Sequence, residues 1–120
     1  MTFTTTDAKR LKPFFEALAQ FASVNTTGVK LSVSKRHRVP ESVGNQINLP
    51  LLDKEPMLYV SAFLHELQHV RDFLDGISVD LDYPEAERRA QRAERKIPGM
   101  TKQALVEWAT EQKLFRRGST

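Results

Sequence analysis

His65-Glu66-Leu67-Gln68-His69 sets two imidazoles four residues apart with a carboxylate beside the first. On a helix, residues i and i+4 share a face, one turn above the other. Both rings can then reach a single Zn²⁺ at the usual bond length of about 2.0–2.1 Å. Glu66 can take a proton from a water whose pKa the ion has lowered towards neutrality. The chemistry implied is metal-assisted hydrolysis, with a peptide bond as the expected target and Glu66 as general base. Two imidazoles with a carboxylate favour zinc, although iron, cobalt and nickel bind similar sets.

A catalytic zinc site needs a third protein ligand and leaves its fourth position to water. No histidine follows His69 and the chain has no cysteine, so the third ligand is expected to be a carboxylate. The acidic stretch after Gly76 offers Asp80, Asp82, Glu85 and Glu87. Ala86, Ala90, Ala93 and Ile97 form an inward stripe there at helical spacing, and Glu85 and Glu87 flank it on either side. Periodicity therefore leaves the choice between these two open. An acidic first turn that complements the helix dipole would look the same. Asp72, one turn beyond His69, is expected to hold a ligand imidazole by its other N–H.

With these residues the chain resembles the gluzincins, in which an HExxH helix is followed by a second helix bearing a zinc-binding glutamate. It is most similar to the small regulatory metallopeptidases of the ImmA/IrrE type and to the single-domain minigluzincins. In the former the second helix typically carries Glu-Ala-x-x-x-Ala. Glu85-Ala86-Glu87-Arg88-Arg89-Ala90 stands in that place, 16 residues after His69. The resemblance spans about residues 29 to 97. It implies a zincin-like peptidase domain that binds Zn²⁺ through His65, His69 and Glu85, with Glu87 a polar neighbour. It also implies an edge strand that accepts an extended peptide, a role for which Asn45 to Leu49 is the best placed. A final helix lying over the cleft, as in minigluzincins, would make the enzyme latent; plain core packing by Trp108 is the simpler expectation. Arg89 stands where the family has an aromatic or apolar residue, and the basic run Gln91 to Lys96 replaces its apolar helix.

The elements that must position these groups are legible from pattern. Pro56 suits a first helical position and Gly76 a stop, so one apolar helix is expected between them. A helix apolar over most of its circumference belongs inside a small domain. Pro13 predicts an amphipathic helix to about Ser23, with Phe14, Phe15, Leu18, Phe21 and Ala22 on its buried face. Val29, Leu31 and Val33 alternate with Lys30, Ser32 and Ser34, the period-2 signature of a half-buried strand. A second short strand is expected within Gly44 to Leu49. Pro84 opens the glutamate-bearing helix. Thr101 is read as the cap of a last helix to about Phe115, with Ala104, Leu105, Trp108, Ala109 and Phe115 inward. The order predicts an α+β fold: N-terminal helix, small mixed sheet, HExxH helix, glutamate helix and C-terminal helix.

At 120 residues the chain supports one domain with one core, taken as residues 1–120. Hydrophobic content of 40% with 28% charged residues is that of a soluble globular protein. Without cysteine there is no disulfide framework and no thiolate site. No signal-like leader and no run long enough for a membrane span are seen, so a cytoplasmic setting is expected. The expected partner is a peptide or protein substrate; oligomeric state is not encoded. The net charge is only +3, but cations cluster at 35–38, 88–96 and 113–117. If those surfaces converge, they give a competing reading: a metal-binding interaction module associated with nucleic acid. The one aromatic in those runs, Phe115, is read as a core residue, so stacking on bases has no platform. His37, Tyr59 and Tyr83 are the available second donors to an oxyanion.

Overall fold

The computed structural model describes residues 1–116, with the side chain of Val79 left aside, and Arg117 of the last basic cluster lies outside the described residues. Among the described residues five α-helices accompany a four-stranded mixed sheet, the α+β architecture that the element order implies. The strands are β1 (Thr2–Phe3), β2 (Lys30–Val33), β3 (Glu41–Val43) and β4 (Gln46–Leu49). Their spatial order is β1-β2-β4-β3, parallel except for the antiparallel pair of β3 with β4. Register aligns Leu31 with Ile47 and Val33 with Leu49, so one row of branched side chains faces the helices. Ser32 and Asn48 share the opposite face, where Ser32 meets His37 and Asn48 meets Gln46 and Glu41.

Two strand expectations change. A further strand, β3, precedes the one expected within Gly44 to Leu49, and β3 is the outer strand while β4 lies inside the sheet. Asn45 to Leu49 therefore offers no free edge. The reason is the tight turn at Gly44, whose φ of +59° suits glycine and returns the chain directly along β4.

The N-terminal helix is split into α1 (Thr6–Arg10) and α2 (Lys12–Phe21). Thr5 caps α1 through the Ala8 amide, and its hydroxyl also donates to the Val33 carbonyl. Phe14, Phe15 and Leu18 are buried as expected; Phe21 is exposed because it falls in the last turn, beyond the neighbouring layer. α3 (Pro56–Leu74) is the central element. Val60, Phe63, Leu64, Leu67 and Val70 bury one broad side of it, and Phe15 packs on Phe63 at 4.9 Å between ring centroids. Met57, Leu58 and Phe73 are exposed, so its apolar surface is not fully covered.

α4 (Tyr83–Ala93) is capped by Asp82, which accepts from the Glu85 amide. Ala90 and Ala93 are buried on its inward stripe, while Ile97 is buried from the link that follows the helix. α5 (Gly99–Glu111) begins after Pro98, two residues before the expected Thr101 cap. Only Leu105 and Ala109 of α5 are buried; Ala104 is exposed and Trp108 retains 39% exposure, because one side only of α5 touches the core. Past the helix, Lys113 at φ +59° turns the chain back and brings Phe115 onto Phe14 and Tyr59.

Asp53 fastens this return. It accepts hydrogen bonds from Arg10 at 2.8 Å, from the Arg116 amide at 2.6 Å and from the Tyr59 hydroxyl. Burial and the Asp53 contact both push the Tyr59 hydroxyl pKa up, so Tyr59 remains a neutral donor. Removing Asp53 leaves the hydroxyl of the buried Tyr59 without its acceptor. Asp53→Ala is expected to lower stability by about 2 kcal/mol. Urea unfolding measures it, and a loss below about 0.5 kcal/mol, the scale of an ordinary surface change, would contradict the role given to Asp53.

Candidate metal centre

His65 and His69 lie one turn apart on the open side of α3, ring centroids 5.0 Å apart. Glu66 is 6% exposed, and its carboxylate and the two imidazoles offer ligand atoms within 4.8 Å of one another. α4 crosses this side of α3 with its alanines against the helix, which the short methyl side chains permit. That approach brings Glu87 over the histidines. Its Oε1 lies 2.9 Å from His69 Nε2 and its Oε2 3.3 Å from His65 Nε2. A single carboxylate thus faces the same ring nitrogen of both imidazoles.

The other nitrogen of His65 is held as well. Nδ1 lies 3.0 Å from Glu94 Oε2, just past the end of α4. Burial alone would lower the His65 pKa, but the Glu94 hydrogen bond and the charges of Glu66, Glu87 and Glu94 raise it on balance. For Glu66 burial dominates: it pushes the carboxyl up, and the two histidines only partly offset it. A base with a raised pKa takes a proton more readily than an ordinary surface glutamate.

The structure separates the remaining acidic candidates. Glu85, the residue expected as third ligand, points to the far flank of α4. It pairs there with Arg88 at 2.9 Å and Arg92 at 3.3 Å, and is absent from the cleft lining. The physical reason is rotation: residues 85 and 87 fall on opposite sides of the alanine stripe, and the side facing α3's histidines is that of Glu87. Asp82 is spent on the helix cap and Asp80 is exposed in the 3-10 turn Ile77–Asp80. Asp72 does not reach an imidazole by hydrogen bond; it binds Arg89 and Gln68, and Glu94 has the role expected of it. Glu94 was legible in principle, since seven residues separate it from Glu87 and i, i+7 share a helix face.

These groups form one wall of an open cleft of about 740 Å³, with Pro40, Glu41, Ser42 and Gly44 from the β3 edge opposite them. Phe73, Ser78 and Tyr83 also line it. Of the three possible oxyanion donors only Tyr83 lines the cleft; Tyr59 is in the core and His37 is bonded to Ser32 at 2.7 Å. No residue of α5 lines it, so α5 is packed on the core rather than over the site. Among the described residues the lining includes four glutamates and no lysine or arginine. No helix among the described residues is long and apolar enough to cross a membrane.

No protein-family model matches this chain, and neither a curated protein nor a solved structure matches it. The site must be judged on its own chemistry. Two imidazole nitrogens converging on a carboxylate is the donor set that a three-ligand zinc centre uses, so the residues present fit the ion.

Glu94→Gln removes the largest contribution that raises the His65 pKa. In metal-free protein the His65 titration, followed by imidazole proton NMR, is expected to move to lower pH. A raised histidine pKa adds stability below its unfolded value of about 6.5 and loses it as pH rises through the folded value. The variant is therefore expected to lose stability at pH 5 and little at pH 9; an unmoved titration would contradict the contact.

Proposed function

We propose that this chain is a zinc-dependent peptidase, with His65, His69 and Glu87 as ligands and Glu66 as general base. The observation that carries the reading is the convergence of both Nε2 atoms on one Glu87 carboxylate beside a buried Glu66. The element order also supports a zincin-like reading of the fold: sheet, HExxH helix, then a glutamate-bearing helix, with β3 as an edge strand across the cleft. Glu87 takes the place that the resemblance assigned to Glu85.

When bound, zinc would polarise the scissile carbonyl and acidify a water. The chain's own groups account for the rest. Glu94 holds Nδ1 of His65, which leaves Nε2 to serve as the ligand. Glu66 accepts the proton of the attacking water and returns it to the leaving amine. β3 offers backbone groups to an extended peptide along the cleft. Tyr83, which lines the cleft, is the candidate donor to the carbonyl oxygen as charge develops on it. The substrate class is a polypeptide segment able to lie in a shallow open cleft.

Polyanion binding has less support. Among the α4 cations, Arg88 and Arg92 are paired with Glu85 and Arg89 with Asp72. The cleft itself is acidic, so a nucleic acid strand would meet like charge there.

Purified protein is expected to carry about one zinc per chain, retained in Glu85→Ala and lost in His69→Ala and Glu87→Ala. Metal analysis checks it; zinc lost with Glu85 and kept without Glu87 would reverse the assignment. Glu66→Gln is expected to keep zinc and fold while peptide-library turnover falls by about 10²–10⁴-fold. Turnover unchanged in that variant, or no turnover in the zinc-loaded wild type, would leave a metal-binding interaction module.

A further inference from the structure

Arg89 and Asp72 form a further polar contact between the two helices of the site. Arg89 Nε and Nη2 donate to the two oxygens of Asp72 at 2.9 and 2.8 Å, a two-pronged pairing. Gln68 Nε2 donates to Asp72 Oδ1 at 2.9 Å. Asp72 is 2% exposed. Burial would push its carboxyl up, but the hydrogen bonds from Arg89 and Gln68 outweigh it and hold the group below the usual carboxylate range.

The placement of this pair matters more than its strength. At about 100° per residue, Glu87 and Glu94 lie on one flank of the alanine stripe and Arg89 lies on the other. The stripe itself is Ala86, Ala90 and Ala93, a surface one methyl deep. Side chains that short interdigitate poorly, so they resist sliding and rolling of α4 less than larger knobs would. The roll of α4 is then set by its flanks. On one flank Glu87 meets the histidines, and on the other Arg89 grips a buried carboxylate three residues beyond His69.

We propose that Arg89, through Asp72, is a positioning residue for the metal centre: it fixes the rotation of α4 that presents Glu87 to both imidazoles. This rests on the zinc reading above, in which Glu87 is a ligand. Arg89 touches neither zinc nor substrate; it acts through Glu87. A guanidinium suits the task because its planar fork sets direction as well as distance, which a lysine ammonium does not.

The test is a zinc-affinity cycle by chelator competition on metal-free protein whose folding is verified by circular dichroism. It compares wild type, Arg89→Ala, Arg89→Lys and Asp72→Asn, each alone and with Glu87→Gln. Arg89→Ala is expected to weaken zinc binding by about 10–100-fold, the range seen when a ligand's supporting contacts are removed. Arg89→Lys is expected to recover part of it. In the Glu87→Gln background, Arg89→Ala should add little, because the group it positions is already gone. A purely structural bolt would lower the melting temperature but leave zinc affinity within about twofold, or cost the same with and without Glu87. Either result overturns the proposal while leaving the zinc reading intact. If Arg89→Ala fails to fold, Arg89→Lys and the isosteric Asp72→Asn carry the same cycle. Wild-type protein that binds no zinc overturns the zinc reading, and this proposal with it.

Discussion

Two imidazoles on a largely buried helix face the same point, and one carboxylate from another helix must be brought to that point. The Glu87 contact with His65 and His69 is the constraint on which the rest of the site depends. It fixes how close α4 must come, and small side chains along the α4 stripe are the consequence. It also fixes how α4 must be rotated. Glu94 and Arg89 sit on opposite flanks and hold that rotation, one through His65 and the other through Asp72. α3 can serve as the fixed member because its other sides are clamped by aromatic packing with Phe15 and by the strand β4.

The same economy appears in the core. Phe14, Phe15, Tyr59, Phe63 and Phe115 form a connected aromatic cluster with mostly tilted or edge-on pairs. It lies on the side of α3 away from the histidines. Asp53 joins the N-terminal helix, the first turns of α3 and the C-terminal return at this end of the molecule. Stability is thus concentrated behind α3, and the cleft in front of it is built from exposed edges: the β3 strand, the 3-10 turn and the start of α4.

Much of this was readable from residue pattern, and the failures are instructive. The HExxH helix, its start at Pro56 and its stop near Gly76 followed from apolar periodicity, proline at the first position and glycine beyond the end. The alternation of Val29, Leu31 and Val33 located β2. The preference for Glu87 over Glu85 as the proposed third ligand does not follow from pattern, because the two are symmetric about the alanine stripe and periodicity carries no handedness of approach. What breaks the symmetry is Arg89, whose partner Asp72 lies 17 residues earlier in the chain. Arg88 and Arg92 then hold Glu85 outward. The sheet order was hidden for a similar reason: strand pairing is long-range, and the short outward-facing β3 has no hydrophobic run to announce it. The face of the last helix read as inward includes Trp108, yet a peripheral helix buries only the narrow line of Leu105 and Ala109.

The proposed ligand set specifies which atoms would surround a bound zinc ion. An anomalous difference map at the zinc edge, from crystals grown with one equivalent of zinc, reads this directly. With His65, His69 and Glu87 as ligands, a single strong peak is expected about 2.0–2.2 Å from His65 Nε2, His69 Nε2 and a Glu87 oxygen. A peak coordinated by Glu85, or no peak near the two histidines, would contradict it.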